Sequence, residues 1–325
     1  MRPVRLLADI GGTNARFAWQ RSGRKPAGVK VVRVADYSTF EAAVTSYLAN
    51  TDRSGPVTQA AFAVAGPVVG DTIHFTNNPW TFSIQEIQRN LRWDTLRVIN
   101  DFAALALAVP NLRADERIKI GRGRPVSNAP VGVIGPGTGL GMAGLMFTER
   151  GPEALASEGG KVALAATNDL EAEVIHTLRH SIGYVSAEDV LSGPGLVRLY
   201  RALAKVMGHP HRATTAAAIT RAGLNGRTPL ATKTLEMFMG MLGTVAGDLA
   251  MTLCARGGVY LGGGIVPRLG EALRRSAFRH RFEQRGDFTF YLANIPTYAI
   301  TARMPAFRGL SALLDRVEAE GAGSG

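Results

Sequence analysis

Cysteine is almost missing from this chain: Cys254 is the only one among 325 residues. A single thiol excludes an internal disulfide and any zinc cluster built from several cysteines. Apolar runs of the roughly 20 residues that a membrane helix needs are missing as well. The best stretch, Gly240 to Ala255, carries Asp248 in its middle. The opening MRPVRLLADI reaches Asp9 before the apolar core of a secretory signal is complete, so a cytoplasmic protein is expected. A Walker A loop is absent too. Gly160-Lys161 runs into Val162, which has no hydroxyl for Mg²⁺, and no glycine lies five residues earlier. Acid is in short supply: 26 acidic against 37 basic residues leave a net charge of +11, and only six of the basic residues are lysine. The positives are scattered. Their local concentrations are Arg122–Arg124, without an aromatic, and Arg274–Arg281, with Phe278 alone. Neither has the repeated aromatics of a base-stacking surface, and a basic surface equally favours encounter with small anions such as nucleotides, so charge alone decides nothing; no nucleic-acid partner is expected.

What is present is an ordinary globular composition, 46% hydrophobic and 19% charged, at a length that suggests two domains. Leu6–Asp9, Ala15–Trp19 and Val29–Val34 read as strands, and Ser38 as the cap of a helix through Leu48. Ala60–Ala65 is a continuous apolar run, as expected of a buried strand, and Ile73–Phe75 follows a Gly70-Asp71 turn. After the Asn77-Asn78-Pro79-Trp80 loop, Ser83 and Glu86 have capping-box spacing. Leu96–Asn100 then reads as a strand and Phe102–Val109 as a short helix stopped by Pro110. Residues 111–130 are polar and rich in Gly, Arg and Pro, which marks a domain boundary. Val131–Ile134, Met142–Phe147 and Gly258–Leu261 are strand-like. Asp169 to about Ala255 is mostly helical, with breaks at Gly183, Gly193-Pro194-Gly195 and Gly223–Pro229. Pro267–Ser276 reads as a helix, and so does the tail from Pro305 before it fades into Gly-Ala-Gly-Ser-Gly. Such alternation implies an α/β protein of two lobes with a cleft between them.

Three glycine-rich turns stand out. In LLADIGGTNARFAW an apolar strand delivers Asp9 into Gly11-Gly12-Thr13-Asn14. That turn is either a plain hairpin or a nest of backbone N–H groups for an anion, with Asp9 placed to attract a cation. The second turn, in Gly137-Thr138-Gly139-Leu140-Gly141, overlaps a literal GxGxxG at Gly139–Gly144. A dinucleotide fold requires a helix after that motif, whereas Met142–Phe147 alternates like a strand. The third is Gly262-Gly263-Gly264.

Together these turns resemble the two phosphate turns and the adenosine turn of the actin-like, hexokinase-type ATPase fold, which is ribonuclease H-like. The chain is most similar to bacterial glucokinases of the group lacking a zinc motif, through LADIGGTNARFA, TNNPWTFS, VINDFAA, GPGTGLG, SEGGKV, SAEDVLSGPGL and GGGIVPR. The seven segments keep the family's order and span Leu7 to about Phe307. The resemblance implies a small domain of residues 1–110, completed by a C-terminal helix of about 302–320, and a large domain of 111–301. It also implies transfer of a phosphoryl group from ATP to the C6 hydroxyl of glucose, and a homodimer. With one cysteine, the cysteine-rich loop of the zinc-binding, repressor-type sugar kinases is absent, which disfavours a repressor.

The resemblance assigns roles residue by residue. Gly11, Gly12, Thr13, Asn14, Gly137, Thr138 and Gly139 would position the ATP phosphates, and Gly263 and Gly264 would let the backbone approach the adenosine. Asp9 would hold Mg²⁺, directly or through water. Asp101, at the end of a strand, would be the general base for the sugar hydroxyl, or else would merely cap the helix that begins at Phe102. Asn100, with its donor and acceptor, and Asn78 would border the sugar, while Trp80 reads as a packing anchor. Glu158 would bind sugar hydroxyls near C1 and C2. Glu188 would do so too, unless a Ser186–Asp189 capping box makes it a simple first-turn acid. One position departs from the family pattern, which has His after Glu-Gly-Gly where this chain has Lys161. An ammonium only donates, so the departure implies altered preference at C1 and C2, or a kinase for another hexose or amino sugar, or a weakly active sugar sensor. Alternatively, Lys161 points away and the glutamates suffice.

Overall fold

The computed structural model describes residues 3–53, 55–75, 78–210 and 214–322, and its contacts divide the chain into two compact units. The first takes Met1–Leu112, Thr148–Ala156 and Arg303–Gly325, and the second Arg113–Phe147 and Ser157–Ala302. Asn77 of the Asn-Asn-Pro-Trp loop and residues 323–325 of the glycine-rich tail lie outside the described residues.

The first unit opens with the antiparallel strands β1 (Val4–Ile10), β2 (Asn14–Arg21) and β3 (Ala27–Arg33). There follow α1 (Phe40–Ala49), β4 (Val57–Val64), the hairpin β5 (Thr72–His74) and β6 (Thr81–Ser83), α2 (Ile84–Asn90), β7 (Thr95–Asn100) and α3 (Asp101–Ala108). The sheet order is β3-β2-β1-β4-β7, with β1, β4 and β7 parallel. Both faces of β4 are covered, which is why its sequence reads as one apolar run. Ala60 and Phe62 join Phe40, Val44 and Tyr47 in one core, while Ala61 and Ala63 join Ala104, Leu310 and Leu314 in another. In register, Ile10 pairs with Val64 and Val64 with Asn100, so three parallel strands end at one edge.

In the second unit β8 (Arg117–Ile120), β9 (Val131–Pro136) and β10 (Leu140–Thr148) come first, and β11 (Gly151–Ser157) leads back through residues of the first unit. Helices α4 (Asp169–Ile182), α5 (Ala187–Val190), α6 (Gly193–Val206), α7 (Ala216–Leu224) and α8 (Pro229–Leu253) precede β12 (Gly258–Leu261). Then come α9 (Val266–Arg275), α10 (Phe278–Glu283), α11 (Thr289–Ala293) and β13 (Thr297–Ile300). The strands of this unit lie in the order β10-β9-β12-β13-β8, with β9, β12 and β13 parallel. Helix α12 (Ala306–Ala322) belongs to the first unit. It sits so close to α3 that a Cβ on Gly309 would overlap the Ala104 carbonyl. The fully buried Arg5 of β1 reaches it through Asp315 at 2.6 Å and Glu318 at 2.7 Å.

Several local expectations change. Thr39, not Ser38, caps α1 by accepting from Ala42 N. Ser83 does accept from Glu86 N, but its own hydroxyl donates to Asp71. Gly193-Pro194-Gly195 is no break but the first turn of α6, where proline fits because the first N–H groups of a helix lack partners anyway. The helix foreseen at Pro267–Ser276 is kinked at Gly270, whose φ of 50° and ψ of −129° are not helical. The polar segment 111–130 hides a strand, β8, paired antiparallel with β13. Its partner is nearly 180 residues downstream in sequence, and no local pattern announces such a pairing.

Candidate active site

In the first unit the Gly11–Asn14 turn joins β1 to β2, closed by Gly11 N donating to the Asn14 carbonyl at 3.0 Å. It is anchored from two further segments. Val34 N donates to the Thr13 carbonyl at 2.9 Å, and the Asn78 amide donates to the Gly11 carbonyl at 3.0 Å. Asn78 is buried, and its oxygen accepts from Trp80 N at 2.9 Å. The amide nitrogen of this side chain thus holds the turn, and its oxygen holds the start of Trp80. Trp80 is the packing anchor foreseen: it is buried, with its indole N–H on the Tyr37 carbonyl at 3.0 Å.

Asp9, beside the turn, pairs with Arg16 across the β1–β2 ladder at 2.9 Å. Burial raises its carboxyl above the ordinary 3.8, and the Arg16 charge and hydrogen bond oppose that rise without cancelling it. Arg16 is a site residue that sequence reading missed, although its position directly opposite Asp9 follows from a tight hairpin. At the end of β7, Asn100 caps α3 by accepting from Phe102 N at 2.9 Å and Ala103 N at 3.1 Å, and its amide donates to the Gly66 carbonyl at 3.2 Å. The cap is thus Asn100 rather than Asp101. Asp101 is the first residue of α3, half-buried, with one oxygen accepting from Phe102 N at 2.9 Å.

The second unit brings two glycine turns together. Gly137–Gly139 connects β9 to β10, with Gly137 N on the Gly139 carbonyl at 2.8 Å and Gly193 N of α6 on the Gly137 carbonyl at 2.8 Å. The Gly262–Gly264 turn follows β12, and Gly262 N donates to the Ile134 carbonyl at 2.8 Å. Gly263 has φ +81°, and a Cβ there would overlap the Pro136 carbonyl, so only glycine allows this approach. Strand β10 follows the GxGxxG match where a dinucleotide fold needs a helix, and that reading is excluded.

Beside the first of these turns is a compact acid–base cluster. Glu188 sits in the first turn of α5, where Ser186 and Asp189 do form the capping box. Its carboxylate nevertheless turns away to accept from Leu140 N at 2.9 Å and from Lys161 Nζ at 2.5 Å. The two readings of Glu188 are compatible, because the box uses Asp189. A Cβ on Gly139 would overlap the Glu188 carboxylate. Lys161 ends a 3₁₀ turn that begins after Glu158, with Lys161 N on the Glu158 carbonyl at 2.9 Å. The Glu188 hydrogen bond raises the Lys161 ammonium above its ordinary 10.5, against a smaller effect of burial, so it stays charged. Lys161 thus reaches Glu188 with its side chain 64% exposed.

The glucokinase family profile matches residues 6–317. The chain belongs to the glucokinase family. It is 45% identical to a glucokinase of Paramagnetospirillum magneticum over 97% of this chain and 98% of the relative. A bifunctional protein of Paraburkholderia xenovorans is 46% identical over 95% of this chain, which spans only about half, 48%, of that longer protein. Among solved structures, a glucokinase from an Antarctic psychrotroph is 37% identical and superposes with a TM-score of 0.88, covering 97% of this chain and 99% of its own. The fold is therefore the actin-like ATPase fold. No helix among the described residues is long and apolar enough to cross a membrane.

Proposed function

We propose that this glucokinase-family protein transfers the γ-phosphoryl group of ATP to the C6 hydroxyl of glucose, with Asp101 as general base, in the cytoplasm and as a homodimer. The observation that carries this reading is the common edge at which β1, β4 and β7 end. Ligands of α/β sheets collect beyond the carboxyl ends of parallel strands. At that edge the first unit presents the Gly11–Asn14 turn and Asp101 together, a phosphate cradle and a carboxylate for an incoming alcohol.

The remaining roles follow the chemistry. Gly11 N and Gly137 N close their own turns, and the remaining N–H groups of the Gly11, Gly12, Thr13 and Asn14 turn and of the Gly137, Thr138 and Gly139 turn, with the Thr13 and Thr138 hydroxyls, hold the phosphates in line. Gly263 and Gly264 receive the adenosine. Asp101 accepts the C6 hydroxyl proton as the oxygen attacks phosphorus and ADP leaves. Asn100 fixes the start of α3 and so the position of Asp101, while Glu158, Glu188 and Lys161 face the C1 and C2 end of the sugar. Mg²⁺ usually binds through one or two carboxylates and otherwise through substrate phosphates. Asp9, one partly exposed carboxylate beside the phosphate turn, suits that mode. Bound there, the ion would neutralise charge on the phosphates. Asp9 would hold it in place of its bond to Arg16.

A coupled assay across glucose, mannose and glucosamine with ATP tests the activity, and Asp101→Asn tests the base. General bases contribute about 10²–10⁴-fold, so the variant should lose that much kcat while glucose binding by calorimetry persists. Wild-type-like turnover in Asp101→Asn refutes the base assignment, and failure of the wild type on every hexose refutes the function. Sedimentation reads the dimer.

A further inference from the structure

Sequence alone shows Arg122–Arg124 as a local concentration of positive charge without an aromatic. The fold gives them company. In the second unit Lys119, Arg122, Arg124 and Arg256 line a cavity of about 630 Å³ together with Phe290 and Tyr291. No acidic residue lines it, and none of the four cations forms an ion pair with a carboxylate among the described residues. All four are exposed, and Phe290 keeps 69% of its surface open.

The array is held in place by backbone. Arg124 N donates to the Asn294 carbonyl at 3.3 Å, Val126 N to the Arg256 carbonyl at 3.0 Å, and Lys119 Nζ to the Gly123 carbonyl at 2.5 Å. Gly123 has φ +88°, and a Cβ there would overlap the Asn294 carbonyl, so the loop is built for this approach. Like charges that line one cavity oppose the compact state, and a ligand that neutralises them relieves that repulsion.

The cavity is separate from the glycine turns. Gly121–Arg124 follows Ile120, which pairs with Thr297 at the start of β13, and Arg256 lies just before β12. These are the amino ends of the parallel strands. The Gly137 and Gly262 turns leave the carboxyl ends. At about 3.3 Å per residue, the four residues of β12 put roughly 13 Å between the two edges.

We propose that this cavity is a second ligand site, for a small phosphate-bearing anion. Guanidinium groups match phosphate oxygens through paired N–H donors, and the two aromatic side chains offer a face to any ring that the anion carries. Inorganic polyphosphate and a sugar phosphate share this chemistry.

Calorimetric titration of the full chain tests the proposal, with glucose and a non-hydrolysable ATP analogue saturating the proposed catalytic site. The probes are tripolyphosphate and glucose 6-phosphate, run separately so that the two sources are distinguished. At least one should bind with one-to-one stoichiometry at about 0.15 M ionic strength, where screening beyond about 8 Å suppresses diffuse attraction. Arg124→Ala/Arg256→Ala should weaken that binding at least tenfold, with kcat/KM for glucose unchanged in the absence of the probe. Arg274→Ala/Arg275→Ala, equal in charge but on α9, should leave it intact. No saturable binding of either probe overturns the proposal. So does equal weakening by both double variants, which marks attraction to net charge alone.

Discussion

Each unit contains a carboxylate paired with an arginine, and the two pairs behave in opposite ways. Asp9 and Arg16 meet through one 2.9 Å contact, with 18% and 40% of their side chains exposed. Glu171 and Arg281 meet through two, at 2.8 and 3.0 Å, with 2% and 12% exposed. Thr167 adds its N–H and hydroxyl to Glu171, each at 3.0 Å. Burial pushes both carboxyls up. At Glu171 the Arg281 and Thr167 hydrogen bonds outweigh burial and hold the group below its ordinary 4.5, while at Asp9 burial wins. A buried charge whose oxygens are all satisfied is a structural fixture. One that is under-satisfied, beside the glycine turn proposed to hold phosphate, fits the proposed role of holding a cation.

The strongest way to break this contrast is to truncate the arginines. Arg281→Ala leaves the Glu171 carboxylate buried without its partner and should cost about 3–5 kcal/mol in denaturant unfolding. Arg16→Ala removes a partly exposed partner and should cost no more than about 1 kcal/mol. Equal losses would show that the two pairs do the same job.

Neutralising the carboxylates should give effects of opposite sign. Glu171→Gln turns charge-assisted hydrogen bonds into neutral ones and should destabilise by about 2 kcal/mol at pH 7. Because the folded Glu171 lies below 4.5, its stabilising share is present above that pH and is lost as pH falls through the folded value. The difference between Gln and wild type should therefore shrink in acid. Asp9 is raised instead, so its share is complete below 3.8 and lost as pH rises through the folded value. Asp9→Asn should raise Tm at pH 7, and that gain should vanish near pH 3.8, while phosphoryl transfer falls. A lower Tm for Asp9→Asn at pH 7 would contradict the under-satisfied reading.

The contrast also separates what a sequence discloses from what it hides. Asp9, Gly11–Asn14, Gly137–Gly139 and Gly262–Gly264 were legible because strand, turn and strand are adjacent in the chain and glycine marks the turn. Asp101 was legible as a strand-end carboxylate. Glu171 and Arg281 are 110 residues apart, and nothing local marks them as partners. Asn78 lay in a noticed loop, yet its bond to Gly11 depends on tertiary folding across 67 residues. Long-range pairing is where periodicity and capping signals stop.

Asn78→Ala measures that hidden anchor. It strips the Gly11 carbonyl and Trp80 N–H of their partners, at about 2 kcal/mol for a buried polar group left unmet. The turn itself should loosen, raising KM for ATP more than KM for glucose. Asn78→Asp keeps the oxygen that serves Trp80 but loses the donor to Gly11, so it separates turn anchoring from packing. Unchanged KM for ATP in both variants would mean that the turn holds without its side-chain anchor.

Lys161→His probes the gentlest difference, an exposed pair in the second unit. The lysine is 64% exposed, so its bond to Glu188 contributes little to folding, and Tm should hardly move. Its effect belongs to the sugar. The ammonium occupies Glu188 Oε1 and adds a positive charge where the C1 and C2 end of the hexose is proposed to sit. Imidazole, which both donates and accepts, frees that oxygen for a hydroxyl. Glucose kcat/KM should change a few-fold, about 1 kcal/mol or less in transition-state binding. Glucosamine in its ammonium form should gain more than glucose or mannose, because a like charge is removed from its path. Equal ratios among the three sugars before and after the substitution would place Lys161 outside sugar discrimination.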